Sequence, residues 1–338
     1  MTKLTLVGII FVILAGTSAH GQNATLDIYW IDVEGGAATL IVTPARESIL
    51  MDAGWDTADE RDTSRIEAAM NDAGINKIDY FIASHFHGDH MGGVPALAKR
   101  TTIGRYIDHG DSVEQDRANS RIAWDAYMSA ADGNRRSIVP DDELSLKGVQ
   151  FSFVVSNRKV TNNTFGPQSP NSNCQGASAG DNAMGENSSS LGYLLSLGDF
   201  QFLNLGDLTV NIQHRLACPQ NLLGIVDLFQ VPHHGNGVAT QLTWALEPTV
   251  AVFNNGPHKG GSPLGFEAIS SIPSIDAIWQ IHRALDTDDE HNATAEMTAN
   301  LTEENDLGFW IKATVSADGS NYTIENRRNG YSETYLTK

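Results

Sequence analysis

The sequence predicts an α/β fold of four layers, an αββα sandwich in which two packed mixed sheets carry helices on their outer sides. Three observations predict it. The chain opens on strand-like runs, and strand and helix patterns then alternate, twice over. Its 338 residues, 41% of them hydrophobic, are enough for one large core.

The first residues stand apart. Lys3 is a short positive region, Leu4 to Ala15 is an almost unbroken apolar run, and Ala19-His20-Gly21 offers a cleavage site before Gln22. Residues 1–21 therefore read as a signal peptide and 22–338 as one domain of a secreted or periplasmic protein. The apolar run is short for a membrane anchor, and no later stretch is long and apolar enough to span a bilayer.

Strands are expected at Leu26 to Val33, Ala38 to Thr43 and Glu47 to Met51, with Gly35-Gly36 making the first turn. Arg61 to Ala73 has helical spacing and stops before Gly74. Ile78 to Ala83 is a short buried strand. A helix then runs from Gly92-Gly93 to Lys99, a strand spans Thr102 to Ile107, and a long amphipathic helix spans Ser112 to Asp132. Residues 157–188, rich in Asn, Ser and Gly, read as one long loop. Ser189 to Leu197 and Phe200 to Leu205 form a hairpin around Gly198-Asp199. Further strands fall at Leu223 to Val231, Thr249 to Phe253 and Ile275 to Ile281, and a last β pair at Gly308 to Val315 and Tyr322 to Asn326.

There are two cysteines, Cys174 and Cys218. Free thiols and metal ligands are the alternatives, but neither residue has a partner at metal-type spacing. In an exported chain an even count favours a disulfide, here one that pins the long loop. The formal net charge of −19 argues against extended nucleic-acid binding. It does not exclude a nuclease, because bound ions supply local positive charge.

Chemistry concentrates at His85-Phe86-His87-Gly88-Asp89-His90, where four metal-competent side chains follow a buried strand. His85 and His87 can grip one ion, while Asp89 and His90 turn to a second. Imidazole nitrogen with carboxylate oxygen suits zinc, and also manganese or iron.

These residues resemble the signature of the metallo-β-lactamase superfamily, His-x-His-x-Asp-His after a strand. Leu50-Met51-Asp52-Ala53-Gly54 matches the family's first Asp, which supports the metal loop. Leu205-Gly206-Asp207 matches the carboxylate that bridges two ions. Val231-Pro232-His233-His234-Gly235 matches the last His motif; one of the two histidines is the ligand and the other supports it or meets substrate. The likeness is strongest to the hydrolase domain of bacterial competence DNA-uptake proteins. It is carried by Ile31-Asp32-Val33-Glu34-Gly35-Gly36-Ala37-Ala38, by Asn187-Ser188-Ser189-Ser190 and by Asn254-Asn255-Gly256. The resemblance implies a metallo-β-lactamase-like sandwich, two divalent ions (zinc first), and a metal-activated water oriented by Asp89 and Asp207 with help from His233 or His234. It implies a phosphodiester or small-molecule substrate; a lactone, β-lactam or other ester or amide is the alternative. A non-catalytic binding protein on the same fold is the reading from another class.

One departure stands out. Many family members place a separate His between the first cluster and the bridging Asp, and no His lies between Asn134 and Leu205 here. His109, in Ile107-Asp108-His109-Gly110-Asp111, is the one candidate between the first cluster and the bridging Asp, though it comes early: it reaches the first ion or contacts substrate, or else is a loop histidine, with water or Asn187 completing the first ion. His258, on a glycine-rich loop, is a candidate substrate contact.

Overall fold

A computed structural model describes residues 24–167, 170–175, 184–303 and 307–338; the expected signal peptide lies outside them. Six strands open the first sheet and pair in chain order: β1 (Leu26–Trp30), β2 (Thr39–Val42), β3 (Ser48–Met51), β4 (Lys77–Ile82), β5 (Thr102–Asp108) and β6 (Arg135–Ser137). The first two pairings are antiparallel and those from β3 onward are parallel. The helices α1 (Arg61–Asp72), α2 (Gly88–Met91), α3 (Val94–Arg100) and α4 (Ala118–Ala131) fill the crossovers.

The second sheet takes β7 (Glu143–Leu144), β8 (Gln150–Ser156), β9 (Lys159–Val160), β10 (Gly192–Leu197), β11 (Phe200–Asn204), β12 (Leu228–Gln230), β13 (Val250–Phe253), β14 (Ala277–His282) and β15 (Thr298–Asn300). Its helices are α5 (Glu186–Ser189), α6 (Val210–Ala217), α7 (Thr240–Leu246) and α8 (Pro263–Ser270). The chain then returns to the first sheet, where β16 (Ile311–Val315) lies antiparallel to β1, followed by β17 (Asn321–Asn326) and β18 (Ser332–Leu336).

Apolar side chains form three buried layers, and these make the four-layer sandwich. Ile28, Trp30, Phe151, Phe202 and Trp279 meet between the sheets. Tyr29, Leu50 and Phe81 face outward under Ile66, Leu97 and Tyr127 of the first sheet's helices. Leu203, Phe229 and Phe253 do the same under Leu216, Leu242 and Ile269. Along β1 the two faces alternate with the strand period, and helices cover the far side, so the strand is buried throughout.

Local boundaries differ from the sequence reading in physically traceable ways. The helix expected from Ser112 begins only at Ala118, because Ser112 Oγ and Val113 N both donate to Glu186 at 2.6 Å and hold the chain in a loop. The 157–188 segment is not one loop; its described part holds β9, a 3-10 turn at Ser172–Cys174 and the start of α5. The strand expected from Leu223 shortens to β12, since Asn221 Oδ1 accepts from Leu223 N at 2.9 Å and turns the chain. Sequence patterning gave no signal for β8, an inner strand of the second sheet: five consecutive residues from Phe151 to Val155 include four buried hydrophobics, leaving no clean alternation.

Cys174 and Cys218 are joined, with Cα atoms 5.7 Å apart, and tie the long connection to the end of α6. Replacing both by Ser is expected to lower stability by about 4 kcal/mol, from the closure entropy of the 44-residue separation. Urea unfolding of the oxidised protein and the double variant checks this; identical midpoints would exclude it. No helix among the described residues is long and apolar enough to cross a membrane.

Candidate metal centre

The histidine loop sits where the two sheets open at the carboxyl ends of β3 and β4. Backbone bonds clamp it to neighbouring strand ends: Ala53 N donates to His90 O at 2.7 Å and Ala37 N to Asp89 O at 3.1 Å. This close approach explains two motif glycines. A Cβ on Gly36 would run into the Asp89 carbonyl oxygen, and one on Gly93 into that of Ala53.

Asp52 ends β3 in the left-handed region (φ 65), which Asp tolerates better than most residues. Its buried carboxylate accepts from Ser84 N at 2.8 Å and Ser84 Oγ at 2.7 Å, and lies 2.7 Å from His90 Nδ1. Burial raises its pKa, against the pull of His90 and Ser84. Asp52 therefore supports the loop from behind, and its bond to His90 leaves Nε2 of that ring bare and facing inward.

The same reasoning assigns the other rings. His234 Nδ1 lies 3.2 Å from Asn254 O, a pure acceptor, so its Nε2 is bare. His90 Nε2 and His234 Nε2 are each 3.3 Å from both Asp89 Oδ2 and Asp207 Oδ2. These four ligand atoms all lie within 4.8 Å of one another, on four buried residues. Two carboxylates and two nitrogen lone pairs, converging out of water, call for a positive charge at their centre. A proton on either ring answers the same demand. Although burial opposes it, the carboxylates of Asp207 and Asp89 hold His90 well above the usual histidine range and raise His234 as well. Burial likewise opposes, but the histidines outweigh it and hold Asp89 and Asp207 well below the usual carboxylate range.

A second donor set adjoins the first. Ser84 Oγ gives its proton to Asp52, so it accepts from His85 Nδ1 at 3.0 Å and leaves His85 Nε2 bare. His87 Nε2 faces Glu114 Oε2 at 3.3 Å, which leaves Nδ1 bare. The two bare nitrogens, His85 Nε2 and His87 Nδ1, stand 3.0 Å apart. Burial and the His90 charge keep the His85 pKa well below the usual value, as a neutral ligand requires. His85 Nε2 and His233 Nε2 are each 4.0 Å from Asp207 Oδ2, so Asp207 faces both sets.

His233 and His234 both have positive φ, 55° and 54°, a conformation that costs about 1–2 kcal/mol per non-glycine residue. That turn sends His234 into the four-residue cluster and leaves His233 a third exposed beside Asn187, whose Nδ2 lies 3.0 Å from His233 Nε2. Burial lowers the His233 pKa. Asn187 Oδ1 is buried with no hydrogen-bond partner among the described residues.

Two expected residues lie elsewhere. His109 is buried behind the loop, 3.1 Å from Glu186 Oε2 and packed on Phe86, and faces neither donor set. His258 points to solvent and pairs with Asp286 at 2.8 Å and Glu303 at 3.2 Å, because its surface loop turns the next residue inward instead. That residue, Lys259, is one the sequence reading missed. Its Nζ touches Asp89 Oδ2, lies 2.8 Å from Gly35 O and 3.3 Å from His234 Nε2, and stands 5.1 Å over the Trp55 ring. Glu114 and Glu186 were also missed. Their only signal was position: one lies in the connection between β5 and α4, the other directly precedes Asn187.

A family profile described as the metallo-beta-lactamase superfamily matches residues 31–145. Over 84 residues, 25% of this chain, the sequence is 32% identical to a UPF0173 metal-dependent hydrolase of Cupriavidus metallidurans, and the match spans 26% of that protein. The chain thus aligns with about a quarter of the curated relative's length. Among solved structures, the metallo-beta-lactamase fold protein YhfI from Bacillus subtilis is 12% identical with TM-score 0.45, covering 85% of this chain and 99% of that one. CmlA, a diiron beta-hydroxylase from Streptomyces venezuelae, is 14% identical with TM-score 0.40, covering 75% of this chain and 47% of that one. This chain has the metallo-β-lactamase fold, and residues 31–145, the part that carries the histidine loop, match that superfamily.

Proposed function

We propose that the chain is an exported metal-dependent hydrolase. The observation that carries this reading is the convergence of two carboxylates and two bare imidazole nitrogens at Asp89, His90, Asp207 and His234. In this reading those four residues hold one divalent ion. His85 Nε2 and His87 Nδ1 hold a second, completed by water or by the unpaired Asn187 Oδ1. Zinc fits the mixed nitrogen and oxygen donors, with manganese or iron as alternatives. When bound there, the ions supply Lewis acidity and an acidified water.

The protein's own groups do the remaining work. Asp207, facing both donor sets, orients the nucleophile together with Asp89. Burial keeps His233 neutral near pH 7, able to take or return a proton at Nε2. Lys259 offsets the negative charge of Asp89 at the rim. Glu114 holds His87 in the tautomer that exposes Nδ1, so Glu114→Gln is expected to weaken zinc binding by about 10- to 100-fold. Competition with a chromophoric chelator measures this; an unchanged affinity would remove Glu114 from the site.

For the substrate, the likeness to competence-type hydrolase domains supports phosphodiesters. The Cys174–Cys218 bridge supports export, which the N-terminal sequence of the natural protein would test. The central test is metal analysis of the freshly purified protein followed by assay on bis-nitrophenyl phosphate, a homoserine lactone and a cephalosporin. No tightly bound ion would favour a non-catalytic binding protein. Activity that survives Ala at both His87 and Asp89 would sink the two-ion mechanism.

A further inference from the structure

Each ligand histidine is steered by a partner on its other ring nitrogen: Asp52 for His90, Asn254 O for His234, Ser84 for His85 and Glu114 for His87. Asp207, which faces both donor sets, is steered through the residue before it. Gly206 N donates to Asn204 Oδ1 at 2.9 Å, and Gly206 O accepts from His233 N at 3.0 Å. Gly206 has a positive φ of 54° and lies against the histidine loop, where a Cβ would stand 2.9 Å from Ser84 Cβ. A shift of Gly206 therefore moves Asp207 relative to the histidines that Ser84 and Asp52 hold.

Behind Asn204 the contacts continue into the other sheet. Asn204 Nδ2 donates to Gln230 Oε1 at 2.8 Å, and the same oxygen accepts from Trp30 Nε1 of β1 and Thr39 Oγ1 of β2, each at 2.9 Å. All four residues are buried. The two ends of this chain of bonds fix its direction. The indole N–H only donates, so Gln230 must present its oxygen there. The backbone N–H of Gly206 only donates, so Asn204 turns its oxygen to Gly206 and its NH2 to Gln230. Asn204 has to donate and accept at once, which an amide does and a carboxylate or a hydrocarbon does not. Apolar side chains would fill the space between the sheets without the desolvation that two buried amides cost. What the amides add is a fixed point for Gly206, tied to the opposite sheet.

We infer that Asn204 and Gln230 are positioning residues for Asp207, an amide relay from β1 and β2 that sets how deeply its carboxylate enters between the two donor sets. The inference rests on the reading of the cluster as a metal site and specifies what holds its geometry. Asp207 Oδ2 lies 3.3 Å from two ring nitrogens and 4.0 Å from two others, so one displacement changes all four distances. Metal–ligand bonds hold to within about 0.2 Å of their ideal lengths, so even a small displacement is felt as lost affinity.

The test measures zinc affinity of the full-length protein by chelator competition, and the visible absorption of its cobalt(II) form, which reports ligand geometry without turnover. Thermal unfolding of each variant sets a temperature at which it is folded. Asn204→Leu, similar in shape, removes both bonds and is expected to weaken zinc binding by about 10- to 100-fold and to shift the cobalt bands. Gln230→Met keeps the Gly206 bond and frees only its anchor. A loss of about tenfold is expected, and this variant carries the test should Asn204→Leu fail to fold. Gln230→Glu, charged or protonated, presents an acceptor oxygen to the same three donors and is expected to keep the natural affinity and bands. Variants that unfold at lower temperature yet keep affinity and bands would overturn the inference, since the amides would then be packing alone. Gln230→Glu behaving like Gln230→Met would overturn it as well. Weakened zinc binding in Asn204→Leu, beside a natural protein that turns over no substrate, would overturn the hydrolase reading and keep the relay. An active natural protein with unaltered zinc affinity in both Asn204→Leu and Gln230→Met would do the reverse.

Discussion

Replacing Asp207 by Ala is expected to lower kcat/KM at least 1000-fold, a loss of about 4 kcal/mol in transition-state stabilisation, and to remove metal from the protein. The reason is geometric. Asp207 Oδ2 lies 3.3 Å from His90 Nε2 and His234 Nε2 and 4.0 Å from His85 Nε2 and His233 Nε2. Both donor sets therefore lose the same oxygen in a single substitution. Asp207→Asn separates charge from shape: it keeps an oxygen acceptor but removes the negative charge that ion binding in a buried site requires. Metal content per chain, read beside kcat/KM, decides the matter. Full metal occupancy with unimpaired turnover in Asp207→Ala would refute the shared role.

The largest expected effect on stability lies one layer behind, at Glu186. This fully buried carboxylate accepts from Phe86 N at 3.0 Å, Ser112 Oγ at 2.6 Å and Val113 N at 2.6 Å, and pairs with His109 Nε2 at 3.1 Å. Burial alone would raise its pKa, but His109 and these donors bring it down to about 2 from 4.5. A depressed carboxylate pKa contributes stability that is present above 4.5 and fades as pH falls towards about 2. Glu186→Gln leaves donors facing an amide NH2 and His109 without its carboxylate; the expected cost near neutral pH is about 3–5 kcal/mol. Denaturant unfolding from pH 7 to pH 3 should show the gap between natural protein and variant narrowing as the pH falls below 4.5. A gap that is constant with pH would mean that the carboxylate's charge is not what matters.

How much of this was legible in the sequence depends on range. Asp52, the His85–His90 loop and Asp207 each follow a short apolar strand, so strand end and chemistry arrive together and the pattern is local. The outcome for His233 and His234 was not local. A positive φ at both residues decides which ring enters the cluster, and two adjacent histidines give no sign of it. His258 and Lys259 show the same limit: in a loop without period, charge type alone cannot say which neighbour turns inward. Glu114 and Glu186 were hidden because 72 residues separate them, although Glu186 N donates to Glu114 Oε1 at 3.3 Å. The missed strand β8 had no alternation because its hydrophobic residues are buried on both faces.

The candidate centre draws Asp52 and residues 85–90 from the ends of β3 and β4, and Asp207, His234 and Lys259 from connections of the second sheet. It therefore straddles the seam of the sandwich. An ion held there acts as a rivet between two halves that are far apart along the chain, and its ligand set is complete only once both have docked. Its binding free energy is then also docking energy, so a chelator should loosen the seam and leave each sheet's own pairing in place.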